Sequence, residues 1–195
     1  MVGLTGSIAA GKTEALAAFA RQGAATISSD EVVHGLLGTR PMARRLAERW
    51  GDDVAPDGVV DRARVAAVVF ADPDELRWLE SVLHPLVAER LVEWGIGLPK
   101  NTRLAVVEVP LLFETGMERD FDATVAVVAD DALREARAAA RGTGLVGERS
   151  GQQLPQSEKE GRATFVLRND GSVEDLEREV AALVPNLVAM SGRDG

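Results

Sequence analysis

At 195 residues the chain has room for one domain carrying an insertion rather than for two full domains. Apolar residues make up 46% and aromatics only 4%, so the core must be built mainly from Ala, Val and Leu, and the absence of cysteine excludes a disulfide framework, a thiolate metal site and a cysteine nucleophile. The net charge of −9 argues against a nucleic-acid binder, which needs a basic face; with no charged-then-apolar leader and no apolar run of membrane length, a cytoplasmic protein without membrane contact is expected.

Val2 to Leu4 reads as a short strand stub, and Gly6-Ser7-Ile8-Ala9-Ala10-Gly11-Lys12-Thr13 matches the phosphate-loop pattern G-x-x-x-x-G-K-[ST] without a gap. The following Glu14 to Phe19 is a strong helix former. A strand, a glycine loop and a helix in that order aim backbone N–H groups and a positive helix end at one point, which binds polyphosphate. Ser7, Ile8, Ala9, Ala10, Gly11, Lys12, Thr13 and Glu14 are therefore the expected cradle. Lys12 is expected to reach the β- and γ-phosphates, and the Thr13 hydroxyl to help hold Mg²⁺. The loop specifies a nucleotide and leaves the reaction open, since kinases, GTPases and motor ATPases share it.

Gly23 to Ser28 reads as a second strand and Val32 to Leu37 as a short helix. Asp30 falls between them, where a carboxylate could accept a hydroxyl proton during phosphoryl transfer or could cap the helix; the residues alone leave both readings open. Residues 40–100 show no strand alternation. They read as helices over Arg40 to Trp50, ended by Gly51, over Asp61 to Phe70, and from the Asp72-Pro73 cap onward, with a bend at Pro85. This is a helical insertion large enough to bind a substrate. His34 and His84 show no metal-type spacing with nearby acids, so a zinc site is rejected.

Arg103 to Val109 and Ala123 to Val128 are continuous apolar runs, the mark of buried parallel strands. Glu108 sits in the first of them, where a buried carboxylate needs Mg²⁺ or a basic partner. Asp130-Asp131 caps a helix through Arg141, with Arg134, Arg137 and Arg141 spaced along one face. From Arg134 to Arg168 there are seven basic residues against four acidic ones, the reverse of the chain as a whole. Residues 142–161 read as a hinge-like stretch rich in Gly, Gln and Ser. A last strand spans Ala163 to Leu167. Ser172 caps a helix from Val173 to about Leu183, frayed past Pro185.

Five strands alternating with helices make a doubly wound, three-layer α/β fold with a parallel sheet. Residues 1–39, 101–136 and 162–195 form the expected nucleotide-binding core, 40–100 the helical acceptor subdomain and 137–161 a lid. This layout suits a small phosphotransferase, which must exclude water to avoid wasting ATP. No N-K-x-D base-reading motif of a GTPase switch is present.

The start G-L-T-G-S-I-A-A-G-K-T, the strand-end Asp30, L-H-P-L at Leu83 to Leu86, V-P-L-L-F-E at Val109 to Glu114 and the late V-L-R-N-D-G together resemble the dephospho-coenzyme A kinase family. The likeness runs from Met1 to about Leu183, and it rests on the order and spacing of the motifs. It implies transfer of the ATP γ-phosphoryl group to the ribose 3′-hydroxyl of dephospho-coenzyme A, the last step of coenzyme A synthesis. It implies further that Asp30 is the catalytic aspartate, that Lys12, Arg137 and Arg141 neutralise the transferring group, and that Gln153 and Asn169 lie on the base side. His84, Leu111, Leu112 and Glu114 then fall in the acceptor region; the loop itself puts Thr13 on Mg²⁺, with Glu108 as the residue that could stand in for the family's missing carboxylate. The chain departs from the family where Ser28-Ser29-Asp30 replaces Asp-x-Asp, and at Ser7, Ala10 and His34. Another small-molecule or nucleoside monophosphate kinase of the same architecture is the alternative, and it would differ in residues 40–100.

Overall fold

A computed structural model describes residues 1–140 and 153–190. Their elements, in order, are β1 (Val2–Gly6), α1 (Lys12–Arg21), β2 (Ala25–Ser28), α2 (Ser29–Leu37), α3 (Arg40–Trp50), α4 (Arg62–Ala71), α5 (Pro73–Ile96), β3 (Ala105–Glu108), β4 (Ala123–Val128), α6 (Asp131–Ala140), α7 (Gln156–Arg162), β5 (Phe165–Arg168) and α8 (Val173–Met190). They fall into two compact units, Met1–Ser28 with Leu98–Gly195, and Ser29–Gly97. The second unit thus starts with α2, upstream of the residue 40 expected from the sequence.

The first unit is built on a five-stranded parallel sheet in the order β2-β3-β1-β4-β5. β1 is longer than the stub expected and is its central strand, paired with β3 from Val2↔Val106 and with β4 through Gly6↔Val127. Alternate strand residues point to opposite faces. Val2, Leu4, Val106, Val125 and Val127 meet Leu16 and Phe19 of α1 and Leu176, Val180 and Leu187 of α8 in the main core. On the other face Leu112 and Phe121 lie 3.0 Å from where a Cβ of Gly3 would stand, so a side chain there would force the covering segment away. Burial of these aliphatics supplies most of the stabilisation, at about 25 cal/mol per Å² of apolar surface.

Two expectations are corrected here. α8 does not fray at Pro185 but runs on to Met190, because Leu187 and Val188 are buried against the sheet. Of residues 142–161, expected to be hinge-like, 142–152 lie outside the described residues, and helix α7 spans Gln156–Arg162. It lacks an apolar stripe, and its one buried residue is Lys159.

The second unit is all helical. The cap residues act as the sequence indicates: Gly51 closes α3 with φ 90°, the Asp61 side chain accepts from Ala63 and Arg64 at the start of α4, and Asp72 accepts from Asp74 before Pro73 opens α5. α5 continues through Pro85 over 24 residues. α3 is tied to α5 where Arg49 forks onto both oxygens of Glu75 at 2.8 and 3.0 Å and the Trp50 indole N–H donates to Glu75 at 2.8 Å. Trp50 meets Trp78 edge-on at 5.1 Å, and the Arg49 guanidinium covers Trp78 at 5.2 Å. No helix of the described residues is long and apolar enough to cross a membrane.

Candidate active site

The loop between β1 and α1 is shaped by its glycines. A Cβ on Gly6 would stand 2.5 Å from the Val127 carbonyl oxygen of β4, and Gly11 takes φ 100°, ψ 27°. Ala9 also has positive φ, at 61°, which costs a side-chain-bearing residue about 1–2 kcal/mol. Alternating hands of this kind turn successive N–H groups toward one point and make an anion nest. Lys12 arches over the loop, its Nζ donating to the Gly6 and Ser7 carbonyls at 3.0 and 3.2 Å. Thr13 is exposed in the first turn of α1. The Glu14 carboxylate binds Arg21 at 2.7 Å, so its contribution to an anion is its backbone N–H.

Two later segments hold the loop in shape. Asn169, just past β5, is buried and donates from Nδ2 to the Ala10 carbonyl at 2.9 Å. Arg134 of α6 donates from Nε to the Ile8 carbonyl at 3.1 Å and pairs with Asp131 at 2.7 Å. Asp130 accepts from the Ala132 and Leu133 N–H groups and caps α6. Beside the loop opens a cleft of about 490 Å³ lined by Ser7, Ile8, Arg134, Gln153 and Gln156 among others. The Gln156 amide clamps Ala129 at the end of β4, accepting its N–H at 3.1 Å and donating to its carbonyl at 2.9 Å.

The sequence-expected residues of the first unit divide into groups. Ser7, Ile8 and Gln153 meet in the cleft, and Asn169 seats on the loop itself. Arg137 carries a buried Nη1 without a hydrogen-bond partner among the described residues, and Arg141 lies outside them. Leu112 is buried against the sheet, while Leu111 is half-buried. Glu114 pairs with fully buried Lys159 at 2.8 Å and accepts the Leu154 N–H at 2.8 Å. Glu108 is buried and ends β3, in register with Leu4 and Ser28. In the second unit Asp30 stands exposed in the first turn of α2, two residues past the carboxyl end of β2. His34 lies within 2.7 Å of Arg62, and His84 is exposed on α5. Sequence reasoning missed Lys159, the Gln156 clamp and the contact of Arg134 with the loop. The reversed local charge was the one signal toward the two cations, and nothing in the sequence marked Gln156.

A parallel sheet whose central strand launches a phosphate loop, with its carboxyl ends opening on a polar cleft, defines a P-loop nucleotide-binding fold. The Dephospho-CoA kinase family model matches residues 1–175. The dephospho-CoA kinase of Brucella melitensis is 37% identical over 192 residues, covering 96% of this chain and 94% of the relative, and that of Chlorobaculum tepidum is 33% identical over 97% and 96%. The crystal structure of TT1252 from Thermus thermophilus superposes with a TM-score of 0.75 at 36% identity over 95% of this chain and 96% of that one. A dephospho-CoA kinase from Campylobacter jejuni shares the fold, with a TM-score of 0.66 at 21% identity over 95% and 96%. The chain belongs to the dephospho-CoA kinase family and is a transferase.

Proposed function

We propose that this chain phosphorylates the ribose 3′-hydroxyl of dephospho-coenzyme A with ATP, as the last step of coenzyme A biosynthesis in the cytoplasm, and that Asp30 is its general base. The phosphate loop braced by Asn169 and Arg134 beside the 490 Å³ cleft carries the reading, because it offers backbone donors and Lys12 to a triphosphate. Asp30 takes the 3′-hydroxyl proton, the 3′-oxygen bonds to the γ-phosphorus, and the bond from that phosphorus to the β,γ-bridging oxygen breaks, so that ADP leaves. Lys12, Arg137 and Arg141 neutralise the charge on the transferring group. The buried Nη1 of Arg137, without a hydrogen-bond partner among the described residues, supports its share, since such a donor can accept a phosphoryl oxygen as its partner. Gln153 lines the nucleotide side of the cleft and Asn169 holds its loop, while His84 and Leu111 belong to the acceptor side.

Mg²⁺ is the ion proposed, and the described residues contain no group of three or more His, Cys, Asp or Glu able to hold a metal. That ion takes one or two protein oxygens and completes its shell with phosphates and water. The Thr13 hydroxyl, with Glu108 at the end of β3 as the second candidate, would supply the protein share, and the bound ion would neutralise phosphate charge. The test is ATP consumption with and without dephospho-coenzyme A, with product mass read alongside. A product heavier by one phosphoryl group, formed only with that acceptor, is expected. Asp30→Asn should keep ATP affinity and lower turnover about a hundredfold or more; unchanged turnover would remove Asp30 from the reaction.

A further inference from the structure

Lys159 is the one fully buried charged side chain among the described residues, at 0% exposure. Its Nζ donates to Glu114 Oε1 and to the Pro110 carbonyl, each at 2.8 Å. The contacts continue in both directions. Glu114 Oε1 also accepts the Leu154 N–H at 2.8 Å, and Leu154 stands between Gln153 and Pro155 in the wall of the nucleotide cleft. The Pro110 carbonyl also accepts from Thr5 Oγ1 at 3.2 Å, and Thr5 immediately precedes Gly6, where β1 passes into the phosphate loop. A continuous polar path therefore joins the strand that launches the loop to the wall that faces it.

Stability does not explain this arrangement. Taking an ammonium and a carboxylate out of water costs several kcal/mol per ion, and a well-packed apolar pair of similar volume is often as stable or more so. A buried ion pair supplies what an apolar pair lacks, namely directed contacts at fixed distances. Here those contacts end on the backbone at Leu154, in the cleft wall, and at Pro110, whose carbonyl Thr5 ties to the strand that launches the loop.

We propose that Lys159 and Glu114 are positioning residues for the nucleotide: they fix the Gln153–Gln156 wall against the phosphate loop. The inference rests on the kinase reading above and departs from it at Glu114, which is assigned to the nucleotide wall and not to the acceptor. The Gln156 clamp on Ala129 holds the same wall at a second point, so loss of the pair should loosen the wall near Gln153 without detaching it.

The experiment compares the wild type with Lys159→Met, Lys159→Arg and Glu114→Gln. For each variant the KM for ATP, the KM for dephospho-coenzyme A, kcat and the melting temperature are measured, with assays run below every melting transition. Binding of a fluorescent ATP analogue is titrated in parallel with no acceptor present. Lys159→Met and Glu114→Gln should lower kcat/KM for ATP by about tenfold to a hundredfold, as expected when a binding wall is displaced by a fraction of an ångström. They should weaken analogue binding and leave the KM for dephospho-coenzyme A unchanged. Lys159→Arg, which keeps the charge and the donors, should recover most of the loss. If Lys159→Met does not fold, the near-isosteric Glu114→Gln decides the matter. Lowered melting temperatures with wild-type kinetic constants would make the pair purely structural, and a change confined to the KM for dephospho-coenzyme A would return Glu114 to the acceptor site; either overturns the proposal. Should the wild type prove inactive toward dephospho-coenzyme A, the analogue titration still tests the wall.

Discussion

Replacing Gly11 by Ala should damage the loop twice, and the second injury should be masked when Asn169 has already been removed. The first cost is local: φ 100° lies in the left-handed region, where a side chain costs about 1–2 kcal/mol. The second comes from Asn169, whose Nδ2 lies 2.0 Å from where the new Cβ would stand and whose Cγ lies 3.2 Å away. The amide must withdraw, and its bond to the Ala10 carbonyl is lost, for about another 1–1.5 kcal/mol. The single variant should therefore lose about 2–3.5 kcal/mol, or roughly 4–14 °C in melting temperature for a chain of this size. Asn169→Ala alone should cost about 1–3 kcal/mol, since it leaves the Ala10 carbonyl short of its donor. Gly11→Ala placed in that background should cost only the backbone strain. Thermal unfolding of the four proteins, with ATP affinity measured beside it, closes the cycle. A coupling of about 1 kcal/mol is expected. Strict additivity, within the roughly 0.5 kcal/mol typical of independent sites, would mean that the Asn169 amide does not rest on Gly11.

Leu187→Ala should cost about 2–5 kcal/mol, because Leu187 is fully buried in the last turns of α8. Urea unfolding with an unchanged midpoint would show instead that the helix frays at Pro185. The second unit should also be acid-sensitive at one identifiable group. Hydrogen bonds from Arg49 and then Trp50 hold the Glu75 carboxyl below the usual carboxylate range. Because the folded value lies below the unfolded one, the contribution of Glu75 is complete above about pH 4.3 and fades as the pH falls through the folded value. Glu75→Gln should therefore flatten the loss of melting temperature below about pH 4 relative to the wild type; parallel curves would refute this.

Much of the fold is legible because its signals are local. Gly51, Asp61 and Asp72-Pro73 mark helix ends through bonds made within three or four residues, and Val-rich runs name β3 and β4. The phosphate loop is legible for the same reason, since it is one contiguous segment between a strand and a helix. The misses are tertiary. Pro185 reads as a stop, and only burial of Leu187 and Val188 on the sheet shows that α8 continues. α7 has no apolar stripe to find, because the residue it buries is a lysine whose carboxylate partner lies far away in the chain. The resemblance puts Asn169 on the base side, and only the folded path of β5 brings it onto Ala10.

The central position of β1 has a consequence for how the chain is made. Its first strand acquires neighbours only when residues 105–127 have been synthesised, and Asn169 reaches the phosphate loop later still. Ser29–Gly97, by contrast, is one uninterrupted stretch of helices with short-range contacts, the kind that folds early and fast. On the ribosome, then, the helical unit should mature first, while the apolar Val2 and Leu4 await their partners. A sheet that closes on β1 keeps the nucleotide pocket unfinished until Asn169 has been made, so a copy cut short before that residue should have no assembled site at which to spend ATP.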